Sequence, residues 1–162
     1  AHYNQRTFET ILLTFNFLRH PDKISARQIF DFGVSGLDRF NGTSAIPITP
    51  EMAMYQAMKP MRGTRVMATS QSDSLLVEAS TTSNTLNIGI VNTEENSQEI
   101  FLSIPNLSLS HGTMYVLNST RLYKFGHSLQ SSQSFQVPPK SLTVLSVATN
   151  FQDTLKDTYS VN

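Results

Sequence analysis

The hydrophobic positions of the chain change period near its middle. From Phe8, the apolar residues Phe8, Ile11, Leu12, Phe15 and Leu18 recur at three- and four-residue spacing, the signature of an amphipathic helix. Arg19 and His20 follow where positive charge suits a helix C-terminus, and Pro21 stops the helix. Arg27 to Val34 is a short apolar run interrupted by one carboxylate, which predicts a largely buried strand. Gly33, Gly36, Asn41, Gly42 and Pro47 then predict a long loop. A second helix starts with Thr49 as N-cap, Pro50 in the first helical position and Glu51 in the first turn. Met54, Ala57, Met58 and Met61 share its apolar face, read as core packing, and Gly63 is placed to end it, with Pro60 distorting the last turn.

After Gly63 the period falls to two. Leu75, Val77 and Ala79 alternate with other residues, as do Leu86, Ile88 and Ile90, and then Ile100, Leu102 and Ile104. Turn signals separate these runs at Ser72-Asp73-Ser74, Thr82-Ser83-Asn84 and Asn92 to Asn96. Further strands are predicted at Thr64–Thr69, Met114–Leu117, Arg121–Phe125, Ser134–Val137 and Ser141–Val147. Pro138-Pro139 marks a break or an edge. About eight short strands at such spacing predict an antiparallel β-sandwich. The expected organisation is therefore a helix-strand-helix segment over 1–63, a sandwich over 64–150 and a tail over 151–162.

Composition sharpens this picture by exclusion. The 162 residues carry 12 Lys+Arg against 12 Asp+Glu, and a formal charge of zero argues against a nucleic-acid binder. Only 15% of residues are charged while Ser and Thr are abundant, which suits strand faces solvated by hydroxyls. No apolar run reaches the length of a membrane span. Without Cys there is no disulfide framework and no thiolate metal site. The chain begins Ala1-His2-Tyr3 with no leader, so any targeting signal is expected outside it, and the chain reads as a piece of something longer.

The chemistry-bearing residues are few. His2, His20, His111 and His127 lack metal-ligand spacing and read as surface or turn residues, so no metal site and no cofactor is expected. There is no nucleophile elbow, and Gly33-Val34-Ser35-Gly36 is not a phosphate loop. Asp31, held between Phe30 and Phe32, is either hydrogen-bonded to the next loop or a ligand contact at a strand end. Asp38 and Arg39 are either a solvated pair or a polar sugar contact. Glu94, Glu95 and Glu99 surround a hairpin turn and read as solvated. Asn41, Asn106 and Asn118 begin glycosylation sequons, which are frequent by chance in so Asn-, Ser- and Thr-rich a chain.

Taken together, Phe17-Leu18-Arg19-His20-Pro21-Asp22-Lys23-Ile24, the strand after it, and Tyr55-Gln56-Ala57-Met58-Lys59-Pro60-Met61-Arg62-Gly63 leading into Thr64-Arg65-Val66 resemble the end of a glycoside-hydrolase (β/α)8 barrel entering a C-terminal β-sandwich. Leu86 to Asn92 and Phe135 to Leu145 look like the middle and last strands of such a sandwich. The order is similar to that of the β-agarase/β-porphyranase family. The resemblance implies a mainly β chain: an antiparallel β-sandwich preceded by a helix-strand-helix remnant of the barrel. It implies a secreted or cell-surface parent enzyme that degrades a polysaccharide such as agar or porphyran, with upstream barrel residues of the same polypeptide as the chain's partner. Retaining enzymes of this kind use two carboxylates about 5–5.5 Å apart. In the family these are glutamates on earlier barrel strands, so no catalytic residue is carried over to this chain, which is expected to be inactive alone. Asp31, Asp38 and Arg39 are the substrate-binding candidates on what remains of the active-site face. The alternatives are a purely structural module, or a carbohydrate-binding one using Tyr115, Tyr123 and Phe125 if one face exposes them, a reading that the lack of Trp disfavours.

Overall fold

In the computed structural model the described residues are 2–19, 50–104, 110–118, 122–129 and 132–148. They form two helices, α1 (His2–Arg19) and α2 (Pro50–Met58), followed by eight strands. These are β1 (Thr64–Val66), β2 (Leu75–Thr81), β3 (Thr85–Asn92), β4 (Gln98–Ser103), β5 (Ser110–Leu117), β6 (Leu122–Leu129), β7 (Ser132–Val137) and β8 (Ser141–Ala148). The described chain is mainly β, with antiparallel pairing throughout. A six-stranded sheet has the order β1-β2-β3-β8-β5-β6, and a two-stranded sheet pairs β4 with β7.

The pairing register converts the alternating pattern into rows of side chains. On one face, Val77, Ile90, Thr143, Val116 and Tyr123 lie opposite one another across five strands. Val66, Ala79, Ile88, Leu145, Met114 and Phe125 form the neighbouring row across all six. Ile100, Leu102, Phe135 and Val137 of the small sheet pack against this face. The three alternating triads seen in the sequence therefore feed one core. On the opposite face, Leu76, Val91, Leu142, Leu117 and Leu122 form an apolar row. Over that row lie Ile11 and Phe15 of α1 and Ala53, Met54 and Ala57 of α2, all buried. The large sheet thus carries helices on one face and a second sheet on the other.

Two glycines make the helical layer fit. Gly63 has a φ of 90°, and a Cβ there would stand 2.1 Å from the Thr81 carbonyl oxygen. Only glycine lets the chain turn this closely from α2 into β1. At Gly89 a Cβ would meet the Phe15 ring at 3.0 Å and the Met61 methyl at 3.5 Å, so the missing side chain seats α1 on the sheet.

Asn92 ties together two places where the chain crosses between sheets, β3 to β4 and β7 to β8. It is fully buried. Its Nδ2 donates to the Asn96 and Pro138 carbonyls at 2.9 Å each, with the Val137 carbonyl at 3.4 Å. Its Oδ1 accepts from the Glu94 amide at 3.0 Å and from Gln98 Nε2 at 3.2 Å. The Lys140 amide donates to the Glu94 carbonyl, and Lys140 itself sits at a φ of 43° just after the proline pair. Pro138-Pro139 is thus a break between strands.

Several boundaries differ from those expected. α1 begins at His2, six residues before the periodic stretch, because its first turns hold polar residues that backbone hydrogen bonds accommodate without an apolar face. β1 stops at Val66. β5 and β6 extend through Ser110–Leu117 and Leu122–Leu129, since the ladder continues where hydrophobic alternation has faded. The strand expected at Arg27 to Val34 and the loop after it lie outside the described residues.

Candidate functional site

Alternation fixes where the charged residues of β1 and β2 stand. Glu78 lies between Val77 and Ala79, so it faces the helices. Its side chain is buried, and two arginines meet it from different elements. Arg65 of β1 brings Nη2 to 2.8 Å from Oε2 and 3.0 Å from Oε1, while Arg19 at the end of α1 brings Nε to 3.7 Å from Oε1. One carboxylate thus clamps the C-terminal turn of α1 and the edge strand to the sheet. A buried charge is tolerated when it is paired and hydrogen-bonded in this way. Beside it runs a polar row, Ser80, Asn87, Ser146 and Thr113, in which Ser146 Oγ donates to Asn87 Oδ1 at 2.7 Å. The sequence carried the signal for Glu78 as a carboxylate inside an alternating run, but the partners come from residues 59 and 13 positions away and only the fold brings them together.

The second feature is on β6. Tyr123 and Phe125 end the two core rows described above, yet they are 42% and 43% exposed. The cause is geometric: they stand on the edge strand of a six-stranded sheet whose covering sheet has two strands. Tyr115 does not join them. It pairs in register with Lys124 on the helix-facing side, where Lys124 Nζ lies 5.5 Å from the centre of its ring. The three aromatics considered together from sequence are therefore split, two to one face and one to the other, because 115 pairs with 124 and not with 123 or 125.

Of the other acidic residues, Glu94, Glu95 and Glu99 are exposed, as expected, and Glu95 pairs with Lys140 Nζ at 3.3 Å. Met54 is buried between helix and sheet, so the methionine stripe is core. Asp31, Asp38 and Arg39 lie outside the described residues. Among the described residues, no group of three or more His, Asp or Glu side chains is arranged to hold a metal ion.

No family model and no curated protein sequence matches the chain. Solved structures do. A glycoside hydrolase family 30 subfamily 8 xylanase from Clostridium acetobutylicum superposes with a TM-score of 0.55 at 19% identity, over 67% of this chain and 30% of that one. A family 30 endoxylanase from Clostridium papyrosolvens C71 gives 0.54 at 22% identity, over 60% and 27%. A β-porphyranase of family 86 from the gut bacterium Bacteroides plebeius gives 0.53 at 19% identity, over 68% and 20%. The fold is thus similar to parts of glycoside hydrolases of more than one family, and the chain spans less than a third of the length of each of these three.

Proposed function

We propose that this chain is the C-terminal part of a glycoside hydrolase that cuts a polysaccharide such as agar or porphyran. The observation that carries the reading is the shared fold: neighbours named as xylanases and a porphyranase match two thirds or so of this chain while it matches under a third of theirs. On this reading residues 1–63 are the end of a (β/α)8 barrel and residues 64–150 an antiparallel β-sandwich that closes the enzyme. The division at Gly63 is one of origin, and the packing of α1 and α2 on the sheet supports a rigid joint there. Asp31, Asp38 and Arg39 line the sugar cleft, and the acid/base and nucleophile carboxylates of a retaining mechanism come from upstream barrel residues. The parent works outside the cell or at its surface, because its polymeric substrate does not cross a bilayer.

The test is hydrolysis measured with and without the upstream polypeptide. The 162-residue chain releases no reducing sugar from agarose, porphyran or aryl glycosides above background, whereas the longer polypeptide does. Turnover by this chain alone, abolished by replacing one of its own carboxylates, overturns the proposal. In the longer enzyme Asp31→Asn lowers turnover or binding and leaves the melting temperature nearly unchanged. A loss of about 1–3 kcal/mol of stability with normal kinetics removes Asp31 from the cleft.

A further inference from the structure

From the geometry of β6 we infer that Tyr123 and Phe125 form a stacking platform for a neutral polysaccharide chain, a binding site separate from any hydrolytic cleft. The two rings occupy alternate positions of one strand, so they share a face with Cα atoms about 7 Å apart. Their register partners on β5, Val116 and Met114, are buried, while the two aromatics are not. The ladder to β5 fixes this face, since Lys124 between them pairs with Tyr115 on the other side of the sheet.

Among the described residues, the other large exposed apolar side chains do not repeat this arrangement. Leu13, Tyr55, Met67 and Phe101 are distributed over α1, α2, the segment after β1 and the outer face of β4. The size of the patch selects the ligand. Two aromatic side chains less than half exposed offer roughly 150–200 Å², far below the ~800 Å² per partner that a specific protein interface buries. That area matches one or two sugar rings. An aromatic face carries negative potential and attracts the weakly positive C–H face of a pyranose, and the Tyr123 hydroxyl adds a polar handle at the rim. The pair itself bears no charge, which favours a neutral chain over an anionic one.

The test is affinity electrophoresis of the 162-residue chain through native gels containing agarose, xylan or xyloglucan, with polygalacturonate as the charged control. Retardation is expected in at least one neutral gel and not in the control. Tyr123→Leu/Phe125→Leu keeps apolar side chains opposite Val116 and Met114 but removes the π faces, and should weaken binding at least tenfold while the melting temperature holds. Lys124→Ala and Phe101→Ala should migrate as the parent does. Absence of retardation in every neutral gel, or retardation unchanged by the double leucine variant, overturns the proposal. So does a dimer in size-exclusion chromatography that the double variant converts to monomer, since the patch would then be a self-association surface. Binding is read without hydrolysis, so this result and the fate of the glycoside-hydrolase reading are independent.

Discussion

The two faces of the six-stranded sheet use the same strands and meet burial in different ways. Toward β4 and β7, two successive rows are aliphatic from β2 through β5, interrupted by Thr143, and the facing sheet supplies matching Ile, Leu, Val and Phe. Toward α1 and α2 the face is graded. Its first row is Leu76, Val91, Leu142, Leu117 and Leu122, its second holds Glu78, Gly89 and Val144, and its third holds Ser80, Asn87 and Ser146. A sheet-on-sheet contact repeats along both strand directions and tolerates uniform rows. A helix touches a sheet over a narrow stripe, so the sheet beneath it needs a patch, a gap at Gly89 for Phe15, and a polar fastening at its end. The first face gives adhesion, and the second adds position.

Removing the helices separates the two faces most strongly. The fragment 64–148 keeps the first face intact but uncovers Val91, Leu117, Leu142 and Val144, each almost fully buried in the chain. Exposing such side chains costs about 1.5–3 kcal/mol apiece, a large part of the net stability of a small domain. The fragment should bind a hydrophobic dye and melt at least about 10 °C below the full chain. A cooperative transition at the full chain's temperature would show that the helical layer adds nothing.

Asn92→Ala comes next. It leaves the Asn96 and Pro138 carbonyls and the Glu94 amide without their buried partner where both crossings meet, and should cost about 2–4 kcal/mol in urea unfolding. Glu78→Gln tests the fastening of the other face. It removes the charge between two half-exposed arginines, whose solvation discounts the loss to about 1–2 kcal/mol, and 1 M salt should shrink the difference between parent and variant. The smallest effect has the opposite sign. Thr143 Oγ1 is buried with no hydrogen-bond partner among the described residues, in a row between Ile90 and Val116. Thr143→Val should stabilise by about 1 kcal/mol, seen as a higher urea midpoint with unchanged slope.

Local pattern alone determined a good deal of this protein. Strict alternation at Leu75, Val77, Ala79 and at Leu86, Ile88, Ile90 leaves a strand one way to bury its apolar side, so strand identity and face follow from a few adjacent residues. The helix face of Ile11 and Phe15, and Pro50 at the start of α2, are legible for the same reason. The resemblance to glycoside hydrolases rested on the order of such elements and agrees with the fold of the solved neighbours. Other features depended on which strands become neighbours. Whether Tyr115 joins Tyr123 and Phe125 turns on a register between β5 and β6, and their exposure turns on the covering sheet having two strands and not six. Glu78 acquires Arg19 and Arg65, and Asn92 acquires Pro138, only when distant segments are brought within hydrogen-bond reach. Hydrophobic period is a property of nearest neighbours along the chain. Ion pairs, clasps and exposed edges are properties of neighbours in space, and those only the tertiary structure decides.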